Sequence, residues 1–368
     1  MSYLKGVFEM SKKKKRIGVF TSGGDCAGLN MAITAVVKAG MENHGWEMVG
    51  VCDGQDGLMA EAPHFTFTSD YPFDDVIRQG GSFLGAFNRS NNKIEYLGEL
   101  EMIRSMTERF VKGVKKLRLD GLIGTGGNGG LLFLNRFATA ANLPFVGIPK
   151  TVDNDVPRTD FCLGFDSAVN ACMNAIDSIY WTAKSHRRAI ITEVMGRDTG
   201  HLAMHSGVAA KVDAILIPEL PYTIKGVLKR IEQAKRHEGK KHFLIVVAEG
   251  AGAEKGSPLK DSRHGGVAQY IEEKLVAEGI KCRSNDLGYM QRGSMPTAFD
   301  RNLAAEFGTF AVDVFASGSR AVMVAKRNGK LVTVDLSKYN RAETRYLDTK
   351  SDIVQAAQGL GIYIGEVK

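Results

Sequence analysis

Apolar runs of four to six residues recur along the chain, with longer stretches of mixed polarity between them. The runs are IGVF at 17–20, MVGV at 48–51, GLIG at 121–124, FVGI at 145–148, AIIT at 189–192, AILI at 214–217 and FLIVVA at 243–248. Each is the length of a buried strand, and the intervals hold helical patterns at Asn30 to Gly40, Tyr96 to Leu117, Phe165 to Ser185, Thr223 to Glu238 and Val267 to Glu278. Strands alternating with helices predict βαβ units and a mostly parallel sheet. Late in the chain the pattern changes. RAVMVAKRNGKLVTV, beginning at Arg320, sets two apolar runs around Asn328-Gly329, which predicts a hairpin.

Length and composition then narrow the class. The 368 residues suit two domains of about 150 to 200 residues each. No fixed-period repeat or low-complexity tether separates them, so the domains are expected to interleave. A content of 44% hydrophobic and 24% charged residues supplies real cores. No run of 18 or more apolar residues predicts a membrane span, and MSYLKGVFEMSKKKKR does not read as a signal peptide, so a cytoplasmic address is expected. Five cysteines, widely spaced and without CxxC, argue against a disulfide framework and a zinc site. The formal charge of +7 comes partly from Lys12 to Arg16, with no zinc-finger spacing and no aromatic-rich basic stripe. A positive cleft for a small phosphorylated anion is therefore expected in place of a nucleic-acid surface.

In an open parallel sheet ligands sit beyond the carboxyl ends of the strands, so the residues after each apolar run are where chemistry is to be sought. After IGVF comes TSGGDCAGLN, whose Gly23 and Gly24 let a phosphate approach the backbone at a helix start; a tight strand-to-helix turn is the plain alternative. After GLIG, the stretch GTGGNGG satisfies GxGxxG at Gly124, Gly126 and Gly129, with Asp153 some way beyond, close to a dinucleotide fingerprint. After FVGI comes PKTVDND, where Asp153 and Asp155 stand two residues apart beside Lys150 and Thr151. Two carboxylates so close need a proton or a cation between them; one could take the proton of an attacking hydroxyl while the other helps hold Mg2+. A solvated acidic loop is the plain alternative. After AIIT comes EVMGRDTGHLA, preceded by Arg187-Arg188, and a later cluster holds Arg283 and LGYMQRG; forked arginines are a common answer to phosphate.

Taken in order, TSGGDCAGLN, PKTVDND, GFDSAVN, EVMGRDTGHLA, AEG at 248–250 and LGYMQRG resemble the phosphofructokinase A family from about Ile17 to Gly318. The resemblance implies a phosphofructokinase-like α/β fold of two interleaved, doubly wound domains. The implied boundaries are 1–164 plus about 294–345 for the phosphoryl donor, and 165–293 plus about 346–368 for the sugar phosphate. It implies phosphorylation of fructose 6-phosphate at its 1-hydroxyl by ATP or pyrophosphate with Mg2+, in a homotetramer or homodimer. Asp153 would be the base, with Thr151, Asp155 and Lys150 beside it. Gly23, Gly24, Gly127, Asn128, Gly129 and Arg89 would bind the donor. Met195, Gly196, Arg197, Glu249 and Tyr289 would line the sugar. Arg188, Arg283 and Arg292 would hold its 6-phosphate, with Arg188 or Arg283 reaching in from a neighbouring subunit.

Three positions depart from the family pattern. Asn128 stands where most relatives have an aspartate that helps hold Mg2+, so metal binding by Asn128 is expected to be weak and Asp155 is the other expected ligand. Asn88 stands where many have an arginine, with Arg89 next to it, and Tyr289 replaces a histidine. Donor choice is divided: Gly129 leaves room for an α-phosphate and favours ATP, whereas Lys150 is shared with pyrophosphate users. Two other readings stay open, a homologue weakened in catalysis at Asn128 and Asn88, and a nicotinamide-dependent oxidoreductase resting on GxGxxG.

Overall fold

The computed structural model describes residues 14–68, 72–86, 99–252, 266–340 and 343–366. In chain order its strands are β1 (Arg16–Thr21), β2 (Glu47–Val51), β3 (Phe65–Phe67), β4 (Gly121–Gly126), β5 (Phe145–Pro149), β6 (Ala189–Val194), β7 (Ala214–Leu216), β8 (Phe243–Ala248), β9 (Cys282–Asp286), β10 (Val322–Arg327) and β11 (Lys330–Asp335). They form a seven-stranded sheet, ordered β11-β10-β5-β4-β1-β2-β3, and a four-stranded sheet, ordered β7-β8-β6-β9. The smaller sheet is all parallel, and the larger is antiparallel only at its two edges. The expected hairpin joins β10 to β11, with Asn328 and Gly329 both at positive φ between Arg327 and Lys330. That twist matches the right-handed twist of the flanking strands.

Each sheet is covered on both faces because its strands alternate buried side chains. In β1, Ile17 and Val19 pack with Ile33, Val36 and Phe307 on one face, whereas Phe20 packs with Leu131, Leu134 and Phe137 on the other. The smaller sheet repeats this: Leu244 and Val246 of β8 turn to one core, and Phe243 and Ile245 to the opposite one. That first core also takes in Cys26, Leu29, Val152, Leu163 and Leu347, so apolar packing runs without a break from one sheet's territory into the other's. Among the described residues no helix is long and apolar enough to cross a membrane.

β9 carries the sequence CRSND, with no apolar run to mark it; it pairs on one side only, with β6, and so needs no apolar pattern on both faces. The helix Phe165–His186 starts beyond Gly164 with no capping side chain of its own. Its orphan donors are met from elsewhere: Asp300, fully buried on the helix Ala298–Ala316, accepts from Gly164 N at 2.9 Å, Ser167 N at 2.8 Å and Ser167 Oγ at 2.5 Å. A buried carboxylate with three donors substitutes for the local cap. Asp300→Ala leaves those donors unpaired in the core, and the expected loss is on the order of 3 kcal/mol of unfolding free energy, read by urea titration. A loss below about 0.5 kcal/mol would contradict this role.

Candidate active site

β1 and β4 lie side by side at the centre of the larger sheet, where the strand order reverses, so their carboxyl ends open a crevice. The two glycine turns meet there: Ser22 N donates to Thr125 O at 2.9 Å. Gly127 and Asn128 open the helix Asn128–Ala140. A methyl group added at Gly129 would touch nothing within 4 Å, whereas one at Gly24 would lie 2.6 Å from Arg292 Nη1. Gly24 therefore lets the Arg292 guanidinium lie against the first turn, where Nη1 also donates to Asp25 O at 3.1 Å. Arg292, expected at the sugar's 6-phosphate, thus sits on the first glycine turn within its own chain.

From β5 the chain enters the loop that carries Lys150, Thr151, Asp153 and Asp155. Its two ends are tied by Thr151 N to Leu163 O and Leu163 N to Pro149 O, both 3.1 Å, and Val152, Val156 and Leu163 are fully buried. The loop is thereby fixed even though it is polar. Asp153 and Asp155 are each only 7% exposed. Thr151 Oγ1 accepts from Asp153 N at 3.1 Å and donates to Asp153 Oδ2 at 3.2 Å, which orients that carboxylate. Asp153 Oδ1 and Asp155 Oδ1 are buried without a hydrogen-bond partner. Burial, then the nearby Asp153, pushes the Asp155 carboxyl up to about 7. Two orphaned carboxylate oxygens suit a hard cation with its water, or an incoming hydroxyl.

Lys150 is 2% exposed, and its ammonium donates to Gly24 O, joining this loop to the first glycine turn. Burial pulls it down to about 8, aided by Arg292 and opposed by Cys26, Asp25 and Asp153. With that value it is mostly cationic at neutral pH, beside the Gly23-Gly24 turn.

The residues expected to line the sugar approach from the smaller sheet. Met195, Gly196 and Arg197 follow β6, and Glu249 follows β8. Arg197 N donates to Glu249 Oε1 at 2.8 Å, and Met195 N to Gln291 Oε1 at 2.9 Å. Thr199 Oγ1 donates to Asp153 O at 3.1 Å, so this cluster is bound to the acid loop. Thr199 and Gln291 were not among the expected residues; Gln291 lies inside the LGYMQRG stretch, and only its burial reveals its part. Tyr289 is 82% exposed and reaches none of this cluster.

Arg188 and Arg283 lie elsewhere. Both are at the amino ends of β6 and β9, where Ile190 faces Arg283. Seven residues of strand separate Arg188 from Met195, roughly 23 Å at 3.3 Å per residue. The Arg283 side chain is 67% exposed, its Nη1 donating to Cys282 O at 2.9 Å and lying 3.4 Å from Glu272 Oε1, and Arg188 Nε is buried without a partner. Within one chain these arginines cannot reach the crevice. Arg89 and Asn88 lie outside the described residues.

Asn128 has partners far along the chain. Its Oδ1 accepts from Tyr339 OH at 2.8 Å and its Nδ2 donates to Thr344 Oγ1 at 3.1 Å. The amide is engaged at both ends by residues after β11, so it ties the turn to them. An amide suits this because it offers a donor and an acceptor together.

A family model described as Phosphofructokinase matches residues 16–315. "ATP-dependent 6-phosphofructokinase 1" of Synechocystis sp. is 40% identical over 359 residues, covering 95% of this chain and 98% of that one. The structure of phosphofructokinase from Saccharomyces cerevisiae superposes with a TM-score of 0.75 at 26% identity over 95% of this chain, which spans 47% of the yeast chain. A pyrophosphate-dependent phosphofructokinase from Nitrosospira multiformis shares the fold, with a TM-score of 0.77 at 21% identity, covering 96% of this chain and 93% of that one.

The buried Lys150 has a measurable signature. With its pKa near 8 when folded and an ordinary value above 10 when unfolded, the unfolded chain holds the extra proton between those limits. Stability due to this group therefore rises as pH climbs from about 8 to 10.5. Against Lys150→Met, whose melting curve lacks this contribution, the wild type should recover on the order of 3 kcal/mol across that window. A constant difference between the two proteins from pH 7 to 10.5 would show that Lys150 is not held charged in a dry site.

Proposed function

The chain belongs to the phosphofructokinase family, and on that premise we propose that it transfers the terminal phosphoryl group of ATP to the 1-hydroxyl of fructose 6-phosphate, giving fructose 1,6-bisphosphate, a glycolytic reaction. The observation that carries the mechanism is Asp153, a buried carboxylate oriented through one oxygen by Thr151 and unpartnered at the other. That free oxygen accepts the proton as the sugar oxygen bonds to the γ-phosphorus and the bridge to the β-phosphate breaks. The transfer needs positioning and charge neutralisation more than a perturbed nucleophile.

Each part of the site has a task in this reading. Backbone N–H groups of the turns at Gly23-Gly24 and Gly127 to Gly129 receive the phosphates, and the Lys150 ammonium offsets the charge of the one in transit. Mg2+ bound with the nucleotide supplies further neutralisation, and the orphaned oxygen of Asp155 is the protein group that fits it. Met195, Gly196, Arg197 and Glu249 hold the sugar. Arg188 and Arg283, stranded at the far end of the smaller sheet, bind the 6-phosphate of a neighbouring subunit's substrate, which makes the working form a homotetramer or homodimer. The larger-sheet unit takes the donor and the smaller-sheet unit the sugar phosphate.

Pyrophosphate remains the second donor reading, and Lys150 is the observation that favours it. Open space at Gly129, together with a relative of nearly the same length named ATP-dependent, favours ATP. The nicotinamide reading of GxGxxG falls with the family assignment.

Asp153→Asn keeps the shape and removes the base. Its kcat should fall about 10²–10⁴-fold while the KM for fructose 6-phosphate stays within a few-fold. A variant retaining most of the wild-type rate would overturn the role of Asp153.

A further inference from the structure

Tyr339, and Thr344 to Leu347 further along, follow the larger sheet, and their hydrogen bonds fall on the site. Tyr339 and Thr344 hold Asn128 of the donor turn. Leu347 N donates to Glu219 Oε1 at 2.9 Å, an oxygen that also accepts from Gly200 N at 2.9 Å. Between these anchors lies Arg345. Its main-chain N–H donates to Asp155 O at 2.9 Å, its guanidinium Nη1 donates to Asn154 O at 3.3 Å, and its own carbonyl is paired with His201 Nε2 at 3.0 Å. A carbonyl only accepts, so the buried and neutral His201 carries its proton on Nε2.

Two consecutive carbonyls, Asn154 O and Asp155 O, are thus held by one residue 191 and 190 positions away in the chain. They belong to the peptide groups on either side of the Asp155 α-carbon. Fixing both planes sets the backbone dihedrals of Asp155 and hence where its side chain points. The conformation does need holding: Asn154 is left-handed at φ 51°, kept there also by its own Oδ1 accepting from Cys162 N at 2.8 Å. We propose that Arg345 is the positioning residue of the phosphoryl-acceptor loop, bracketing Asp155 through the two carbonyls that flank it. Arg345 touches neither substrate nor the transferred group; it acts through Asp155, and it rests on the assignment of the Asp153 to Asp155 loop made above. The segment also brings the donor turn under the same strap, so the two halves of the reaction are set by one piece of chain.

The test uses the full-length enzyme with fructose 6-phosphate, Mg2+ and ATP. Arg345→Met keeps the aliphatic stem and the main-chain N–H, losing only the guanidinium contact; Arg345→Lys restores a donor. The expected result is a kcat about tenfold lower for Met, with both KM values within threefold of wild type, a melting temperature within a few degrees, and partial recovery of kcat in Lys. In an Asp155→Asn background the same Met substitution should cost less than about threefold, because the residue it positions is already altered. A kcat within twofold of wild type in Arg345→Met overturns the proposal. So does a full additional tenfold loss on top of Asp155→Asn, or a loss that Lys does not lessen and that tracks the melting temperature. If Asp153→Asn is itself fully active, the loop assignment has failed; if that variant is inactive while Arg345→Met is unimpaired, only the bracket has.

Discussion

Three ionisable side chains lie buried within six consecutive residues, Lys150, Asp153 and Asp155, and the rest of the site is arranged around the cost of keeping them there. Burial disfavours each charge separately, which is why the lysine falls toward 8 and the Asp155 carboxyl rises toward 7. Both shifts leave groups close to a change of protonation near neutral pH, a state suited to exchanging a proton and receiving phosphate charge. A solvated loop of the same sequence would do neither.

Such a loop holds its form only if surrounding structure imposes it. Val152, Val156 and Leu163 anchor it by apolar burial, and Thr199 joins it to the sugar side. Asp300 completes the start of the helix that follows it, and Arg345 holds two of its carbonyls. The constraints come from four separate regions of chain, so the geometry survives the loss of any one only in part.

What could be read from the sequence follows from this. Strands β1, β4, β5, β6 and β8 announced themselves through apolar runs, and their exits located the glycine turns, the acid loop and the Met195 to Arg197 segment, because period and turn chemistry are local. At Asn128 a sequence shows the composition of a turn but not that its amide meets Tyr339 and Thr344, 211 and 216 residues later. Thr344 and Arg345 lie in a polar stretch with no periodicity, and nothing local distinguishes them from any surface loop. Arg292 belongs to a recognisable stretch, yet its place is fixed by the bare backbone of Gly24, on which it lies, and by the Asp25 carbonyl, neither of them near in sequence. The polar strand β9 escaped for the same reason, as one-sided pairing leaves no pattern to find.

In the proposed reaction the glycine turn with its amide, and the acid loop with its lysine, serve phosphoryl transfer from ATP. The most direct measurement is the rate of fructose 1,6-bisphosphate formation from fructose 6-phosphate and Mg2+ with ATP and with pyrophosphate in parallel. Product with ATP at a rate at least about tenfold above that with pyrophosphate is the result predicted by the open space at Gly129. Product only with pyrophosphate, or with neither donor, would contradict it.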